Sequence, residues 1–460
     1  MKSKIVTLIM FLLASVLVMP VMAQEPASEA PKPRKSTGRF PSDITGLEEM
    51  AQLALEEENW LRLLQTTILL RKQQPYEVEH FVNMVRASAM MGRPTSAYHY
   101  MLQMQQQGLS YDFNQLDETI ELRGTEVYDY MNDLLIRAGD PAGEAEPTFE
   151  LDSELPTALA WDPTREQFLV GTAGEGSVLA VDDKGKAKEL LKASEDNSLW
   201  AIMDIAVDAE RNRLWVSSAS IPQFQGFSDK QAGRSGLFAF ELDSLRLVGT
   251  YLPDDTNAPF EFGALAVGPE GDVFVVDRQV PVVYRKPADS HVIAPFIVDK
   301  ELYGFRDIAI SENGARLYLA DINKGILVID PENETAVMLE GPETLNLGGI
   351  EGMFHVGNEL ILIQSGIQPQ RLLALQLDPS GGLVEEVRPM AIALEWFDKL
   401  SGGTFHQDAI YYFANSPLLD PATADGEIIV LKTGLDAGQD IVRPDMKKFE
   451  EETLSRARDN

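Results

Sequence analysis

The sequence predicts two folded parts: an all-α helical-repeat domain, then an all-β six-bladed propeller. Three observations carry this. Up to about residue 140, apolar residues recur every three or four positions; beyond about 146 they fall into short alternating clusters. The helical part turns at Asn59, Gly92 and Gly124, spacings of 33 and 32 residues. The β part repeats one strand pair six times.

The chain opens on a secretory signal pattern. Lys2 and Lys4 precede an apolar run from Ile5 to Val18, Pro20 breaks it, and Val21-Met22-Ala23 offers a cleavage site after Ala23. The run is shorter than the ~20 apolar residues that span a bilayer. Residues 1–23 therefore read as a signal peptide, with an uncleaved anchor as the alternative. The address is bacterial periplasmic or secreted. Residues 24–40 carry Pro26, Pro31 and Pro33 among small and charged residues and read as a disordered linker.

Residues 41–140 read as the helical domain. Leu47, Met50, Ala51, Ala54 and Leu55 share one helix face, as do Trp60, Leu63, Leu64, Thr67 and Ile68 on the next. Pro75 stops the second helix, and Val78, Phe81, Val82, Val85 and Ala89 stripe a third. Pro94 opens a fourth helix that Gly108 closes, and residues 114–122 and 125–138 give a last pair. The beat, with Ala97 and Tyr98 after the Gly92 turn, resembles tetratricopeptide repeats. That resemblance implies a protein or peptide partner. Met84, Met90, Met91, Met101 and Met104 either fill the repeat core or form a soft peptide groove.

Residues 146–435 read as the propeller. The six echoes, aligned on Ala160, Ala206, Ala266, Ala309, Phe354 and Phe405, stand 46, 60, 43, 45 and 51 residues apart. Repeats of this length holding about four short strands each make propeller blades. The last unit lacks a fourth strand, and Pro147-Thr-Phe-Glu-Leu151 is placed to supply it and so close the ring. Residues 436–460 read as a polar tail.

Phe305-Arg-Asp-Ile-Ala-Ile-Ser-Glu-Asn-Gly-Ala-Arg-Leu-Tyr-Leu-Ala-Asp321 resembles the blades of the regucalcin/gluconolactonase family and of NHL-repeat propellers. Gly349-Ile-Glu-Gly-Met353 resembles blades of secreted bacterial members. The resemblance implies a divalent cation such as calcium at the channel mouth, held by Glu, Asn and Asp at the starts of innermost strands, and a lactone or ester hydrolase. Here those positions read Thr157, Met203, Gly263, Arg306, Glu351 and Gly402. Glu351 is the lone carboxylate, and a guanidinium at 306 repels a cation. The expectation is thus no cofactor and no confident catalytic residue, with Glu351, Asp204 and Asp307 as the weak metal candidates.

Arg306 and Glu351 start neighbouring blades, so they either lock two blades as an ion pair or offer a handle to an anion. Asp204 and Asp307, one position further in, either cap backbone N–H groups or form a displaced cation site. Asp277, Asp321 and Asn415 end second strands and are candidate rim polars. His355 and His406 stand where other blades carry Trp161, Val207, Val267 and Ile310, and so read as packing residues. The long interval holds an extra loop, 219–235, whose Phe224 and Phe227 are candidate lid residues.

Composition narrows the function classes. A formal charge of −33 disfavours nucleic acid and anionic membranes. The absence of cysteine removes disulfides, thiolate zinc sites, Cys nucleophiles and lipoprotein anchoring. The leading expectation is a non-catalytic exported binding or scaffold protein, with a small-molecule ligand at the propeller channel. The alternative is a metal-dependent lactonase or esterase with a modified site.

Overall fold

Among the described residues, five α-helices are followed by six antiparallel sheets in the computed structural model. It describes residues 41–439 except 42, 153–154, 183, 255–258, 300–301, 303 and 417–426. The expected signal peptide, the linker and the tail beyond 439 lie outside the described residues.

The helices are α1 (Ile44–Glu56), α2 (Trp60–Gln73), α3 (Val78–Met90), α4 (Pro94–Gln106) and α5 (Glu126–Arg137). Asp43, Asn59, Glu77 and Thr125 cap four of them through side-chain oxygens, and Pro94 opens the other. The segment expected as a helix at 114–122 is instead two 3₁₀ turns, Phe113–Gln115 and Asp117–Leu122. Polar side chains draw the backbone there out of α geometry. Thr119 Oγ1 donates to the Phe113 and Leu116 carbonyls, and Asn132 Oδ1 accepts from Phe113 N–H. Met84, Met101 and Met104 are buried in the helical core, whereas Met90 is exposed.

The sheets are the six blades. Their innermost strands are Pro156–Asp162, Ala201–Asp208, Phe262–Val267, Phe305–Ile310, Ile350–Val356 and Ser401–His406. Each contacts the next and the last contacts the first, so the ring is closed. Glu146–Leu151 is the outer strand of the sixth blade, pairing Phe149 with Val430 and Leu151 with Ile428. Six apolar clusters fill the six seams between neighbouring blades. Alternate residues of each strand face the blade above and the blade below, so the core is a ring rather than a ball.

One irregularity recurs. At the start of every innermost strand the pairing register slips, leaving Thr157, Met203, Gly263 with Ala264, Arg306, Glu351, and Gly402 with Gly403 without direct opposites. The strand-start ring is therefore a ring of β-bulges. A bulge sets two consecutive residues against one and re-aims their side chains.

The helical region and the propeller belong to one compact unit. Residues Ala142–Gly143 add a fifth strand to blade five, and Ser110 N–H donates to the Gln368 carbonyl. Arg371 is buried between the two parts. Its Nη1 donates to the Gln107 and Gly108 carbonyls at the end of α4, and its Nε to Gln364 Oε1. Those carbonyls lack helical partners, and a cation suits the negative end of a helix. Gly108 has φ +65, and a Cβ there would lie 2.9 Å from Arg371 Nη1. Buried Asn346 donates to Gln107 Oε1. These contacts come from the ends of second strands and the starts of first and third strands. The helices thus sit on the strand-start face, over blades four and five. Packing also continues past residue 435: Leu435 and Ala437 join the seam between blades five and six.

Candidate functional site

The six innermost strands enclose a channel of about 610 Å³. Because all six run the same way, one mouth carries the strand starts and the other the strand ends. Arg278, Arg306, Glu351, Thr157, Ser401 and Ser416 line the first mouth. Trp161, Val207, Val267, Ile310, His355 and Phe405 line the far end. The channel is thus charged at one end and apolar at the other.

Arg306 and Glu351 reach the mouth as bulge residues of neighbouring blades. No direct ion pair joins them; they act on each other through space. Burial pushes the Glu351 carboxyl upward, and the Arg306 and Arg278 guanidiniums oppose that push. Arg278 was not singled out in the sequence. It follows the second strand of blade three, and its side chain crosses Gly263: a Cβ on that glycine would lie 2.7 Å from Arg278 Cδ. The glycine that removes a ligand at the ring thereby admits a second guanidinium. Arg278 also faces Glu261 at 3.7 Å.

Asp204 and Asp307 line the channel one residue further in. Asp204 Oδ1 accepts from its neighbour Ile205 N–H and Oδ2 from Leu265 N–H of the next blade, both at 2.8 Å. Asp307 repeats the arrangement two blades on, with Ile308 N–H at 2.8 Å and Met353 N–H at 2.5 Å. Each carboxylate accepts one backbone N–H of its own innermost strand and one of the next blade's, and so ties one blade to the next. Both are half-buried by surface area, because they face the channel, yet they lie deep in the protein. Burial pushes Asp204 up to about 7. Burial first, then repulsion from Asp204, pushes Asp307 up to about 8, against two backbone hydrogen bonds; Glu351 adds to the push.

Asp277, Asp321, Asn415, Phe224 and Phe227 lie outside the channel lining. Asp277 and Asp321 are buried turn caps. Asp277 Oδ1 accepts from Gln279 N–H at 2.8 Å and Asp321 Oδ1 from Asn323 N–H at 2.9 Å. Asn415 bridges Ile429 N–H and the Glu427 carbonyl. Phe224 is half-buried, packs in the small cluster with Met203 and Ile221, and lies against Gly176. Neither Phe224 nor Phe227 lines the channel. His406 stacks on Trp161 across the closing seam at 3.8 Å, and His355 stacks on Tyr318 of blade four at 5.4 Å. Burial lowers both imidazoles.

The strand-start ring does not fit the divalent cation implied by the family resemblance. Thr157 Oγ1 donates to two carbonyls, at 2.7 and 3.2 Å, and Arg278 covers Gly263. Glu351 has two guanidiniums for electrostatic neighbours. Both oxygens of Asp204 and of Asp307 already accept backbone N–H groups. Among the described residues no group of three His, Cys, Asp or Glu side chains converges. A hard cation wants about six oxygen donors and no adjoining positive charge.

No protein-family model matches the sequence, and no curated protein matches it either. Several solved structures are similar. The PQQ-bound aldose sugar dehydrogenase of Streptomyces coelicolor is 14% identical, over 63% of this chain and 98% of that one, with a TM-score of 0.45. A protein of unknown function from Bacteroides thetaiotaomicron is 11% identical over 64% of this chain and 76% of that one, TM-score 0.45. Virginiamycin B lyase from Staphylococcus aureus is 11% identical over 64% and 99%, TM-score 0.39. None of these likenesses carries an activity to this chain; the propeller stands on its own strand order.

Proposed function

We propose that this chain is an exported bacterial binding protein whose propeller channel takes a small ligand at the strand-start mouth, and that it performs no metal-dependent hydrolysis. The observation that carries the reading is the mouth itself. Two guanidiniums, Arg278 and Arg306, meet there beside Glu351 with no ion pair between Arg306 and Glu351. Two guanidiniums at a half-enclosed mouth suit a carboxylate or another planar anion. The docked helices flank the blades that supply Arg306 and Glu351. In this reading they present a tetratricopeptide-like surface to a protein or peptide partner, and the propeller belongs with the regucalcin/gluconolactonase-like folds without their chemistry. The leader pattern supports a periplasmic or secreted address.

The test pairs a binding screen with an activity screen. Small carboxylates are titrated against the purified chain by thermal shift and calorimetry. Arg306→Ala should abolish the binding found while leaving the unfolding midpoint nearly unchanged, because Arg306 holds no hydrogen bond among the described residues. Lactone and ester hydrolysis is assayed with added calcium or zinc. A metal-dependent hydrolysis that Glu351→Gln removes would overturn this reading in favour of the hydrolase.

A further inference from the structure

We infer that the ligand of this mouth is a small zwitterion, carrying a carboxylate and an ammonium a few ångströms apart on an apolar body, as a free amino acid does. The inference rests on the binding reading above and sharpens it. The channel wall holds two cationic side chains, Arg278 and Arg306, against three carboxyls, Asp204, Asp307 and Glu351. A purely anionic ligand would bring its charge close to those carboxyls. A purely cationic one would meet the guanidiniums first.

The charges are also layered. Arg306 and Asp307 are consecutive, about 3.8 Å apart along the backbone, and the bulge at Arg306 turns both toward the channel. Glu351 lies within electrostatic range of Arg306 on one side and of Asp307 on the other. Asp204 in turn acts on Asp307. The guanidiniums stand at the rim beside Glu351, and the carboxyls of Asp307 and Asp204, which burial disposes to hold a proton, follow one layer deeper. Among the described residues no donor hydrogen-bonds Glu351, and Arg306 and Arg278 act on it through space. Beyond the carboxyls, Val207, Val267, Ile310, Phe354 and Phe405 line an apolar end for the ligand's body. An ammonium beside Glu351 and Asp307 would favour their ionised forms, which burial disfavours, while the ligand's carboxylate would take the guanidiniums.

Calorimetric titration with matched probes tests this. L-phenylalanine, D-phenylalanine and L-leucine keep both charges; N-acetyl-L-phenylalanine lacks the ammonium and L-phenylalaninamide lacks the carboxylate. At least one zwitterion should bind about 10- to 100-fold more tightly than either blocked analogue of phenylalanine, the effect of one charge-assisted contact. Glu351→Gln should erase most of that preference while keeping the weaker binding of the N-acetylated acid. Asp307→Asn should act in the same direction; because Asp307 also caps backbone, Glu351→Gln carries the test if that variant fails to fold. Binding of the N-acetylated acid as tight as that of the free amino acid would overturn the zwitterion inference. If that binding were still lost in Arg306→Ala, the anion-binding reading would survive. Failure of every zwitterion to bind at millimolar concentration would also overturn the inference.

Discussion

Arg371 tests how the two parts are held together. It is 4% exposed and lies at the junction of the helices with blade five. Replacing it with methionine keeps most of the stem volume and removes its hydrogen bonds to the carbonyls of Gln107 and Gly108 and to Gln364 Oε1. Each buried acceptor left without a donor costs about 1–3 kcal/mol, and water re-entering at the partly buried Gly108 side reduces the total. The expected loss is about 2–5 kcal/mol, a large share of the 5–15 kcal/mol typical of whole domains. Lysine at 371 should recover only part of it, because a single ammonium cannot serve three acceptors set by a planar fork. The assay is urea unfolding followed by tryptophan fluorescence, with limited proteolysis of the connector at 139–145. Wild type should unfold with the connector protected. Arg371→Met should show an earlier transition for the helical part and faster cleavage at the connector. An unchanged midpoint and an unchanged cleavage pattern would refute the claim that this guanidinium fastens the helices to the propeller.

Two further outcomes follow from the same contacts. Deleting residues 146–151 opens the ring and exposes the partners of Phe149 and Leu151, which are 6% and 0% exposed. It should lower the thermal midpoint markedly, whereas Leu151→Ala alone should cost about 2–5 kcal/mol; unchanged melting would contradict closure through this strand. Two sets of buried groups also give stability opposing pH dependences. Burial raises Asp204 and Asp307 above the unfolded 3.8, to about 7 and about 8. The folded chain holds protons there that the unfolded chain releases, so this contribution is full below the unfolded 3.8, declines as pH rises above it, and is lost once pH has passed through the folded values near 7 and 8. Burial, and then Arg71, lowers His80 from 6.5 to about 4, and burial lowers His355 and His406. Their contribution is present above 6.5 and is lost as pH falls below it. In melting curves from pH 4 to 9, Asp204→Asn with Asp307→Asn should remove a decline that in wild type runs from about pH 4 to about 8 and ends there; an unchanged pH dependence between 4 and 8 would contradict the raised carboxyls.

Legibility differed between fold and site. The blades were legible because each repeat carries its own alternation and turn residues, information local to about 45 residues. The outer strand of blade six was legible by its absence from the last unit. The helix at 114–122 misled because its apolar spacing is helical, while Thr119 and Asn132 divert the backbone through contacts that a propensity argument does not see. At the site, Arg306, Glu351, Asp204 and Asp307 were found by comparing equivalent positions across repeats. Asp277, Asp321 and Asn415 shared that positional logic but point to backbone, since the same side-chain chemistry caps turns as readily as it lines a rim. Arg278 was missed because it follows a rim Asp in a strand end of ordinary composition. The signal that pointed to it was Gly263, an empty position where other blades carry a side chain.

The sequence alone determined the order of parts, the number of blades, their closure and the absence of cysteine chemistry, because hydrophobic period and repeat length act over a few residues at a time. Only the tertiary structure decided which residues face the channel. A one-residue slip at each strand start leaves composition untouched but turns Arg306 and Asp307, which a period of two would place on opposite faces, toward the same space. It alone also decided that the helices flank that mouth. Gln107, Asn346 and Arg371 are unremarkable polar residues until the chain folds and brings Arg371 onto a helix end 264 positions earlier. Burial then makes each of their hydrogen bonds obligatory rather than optional.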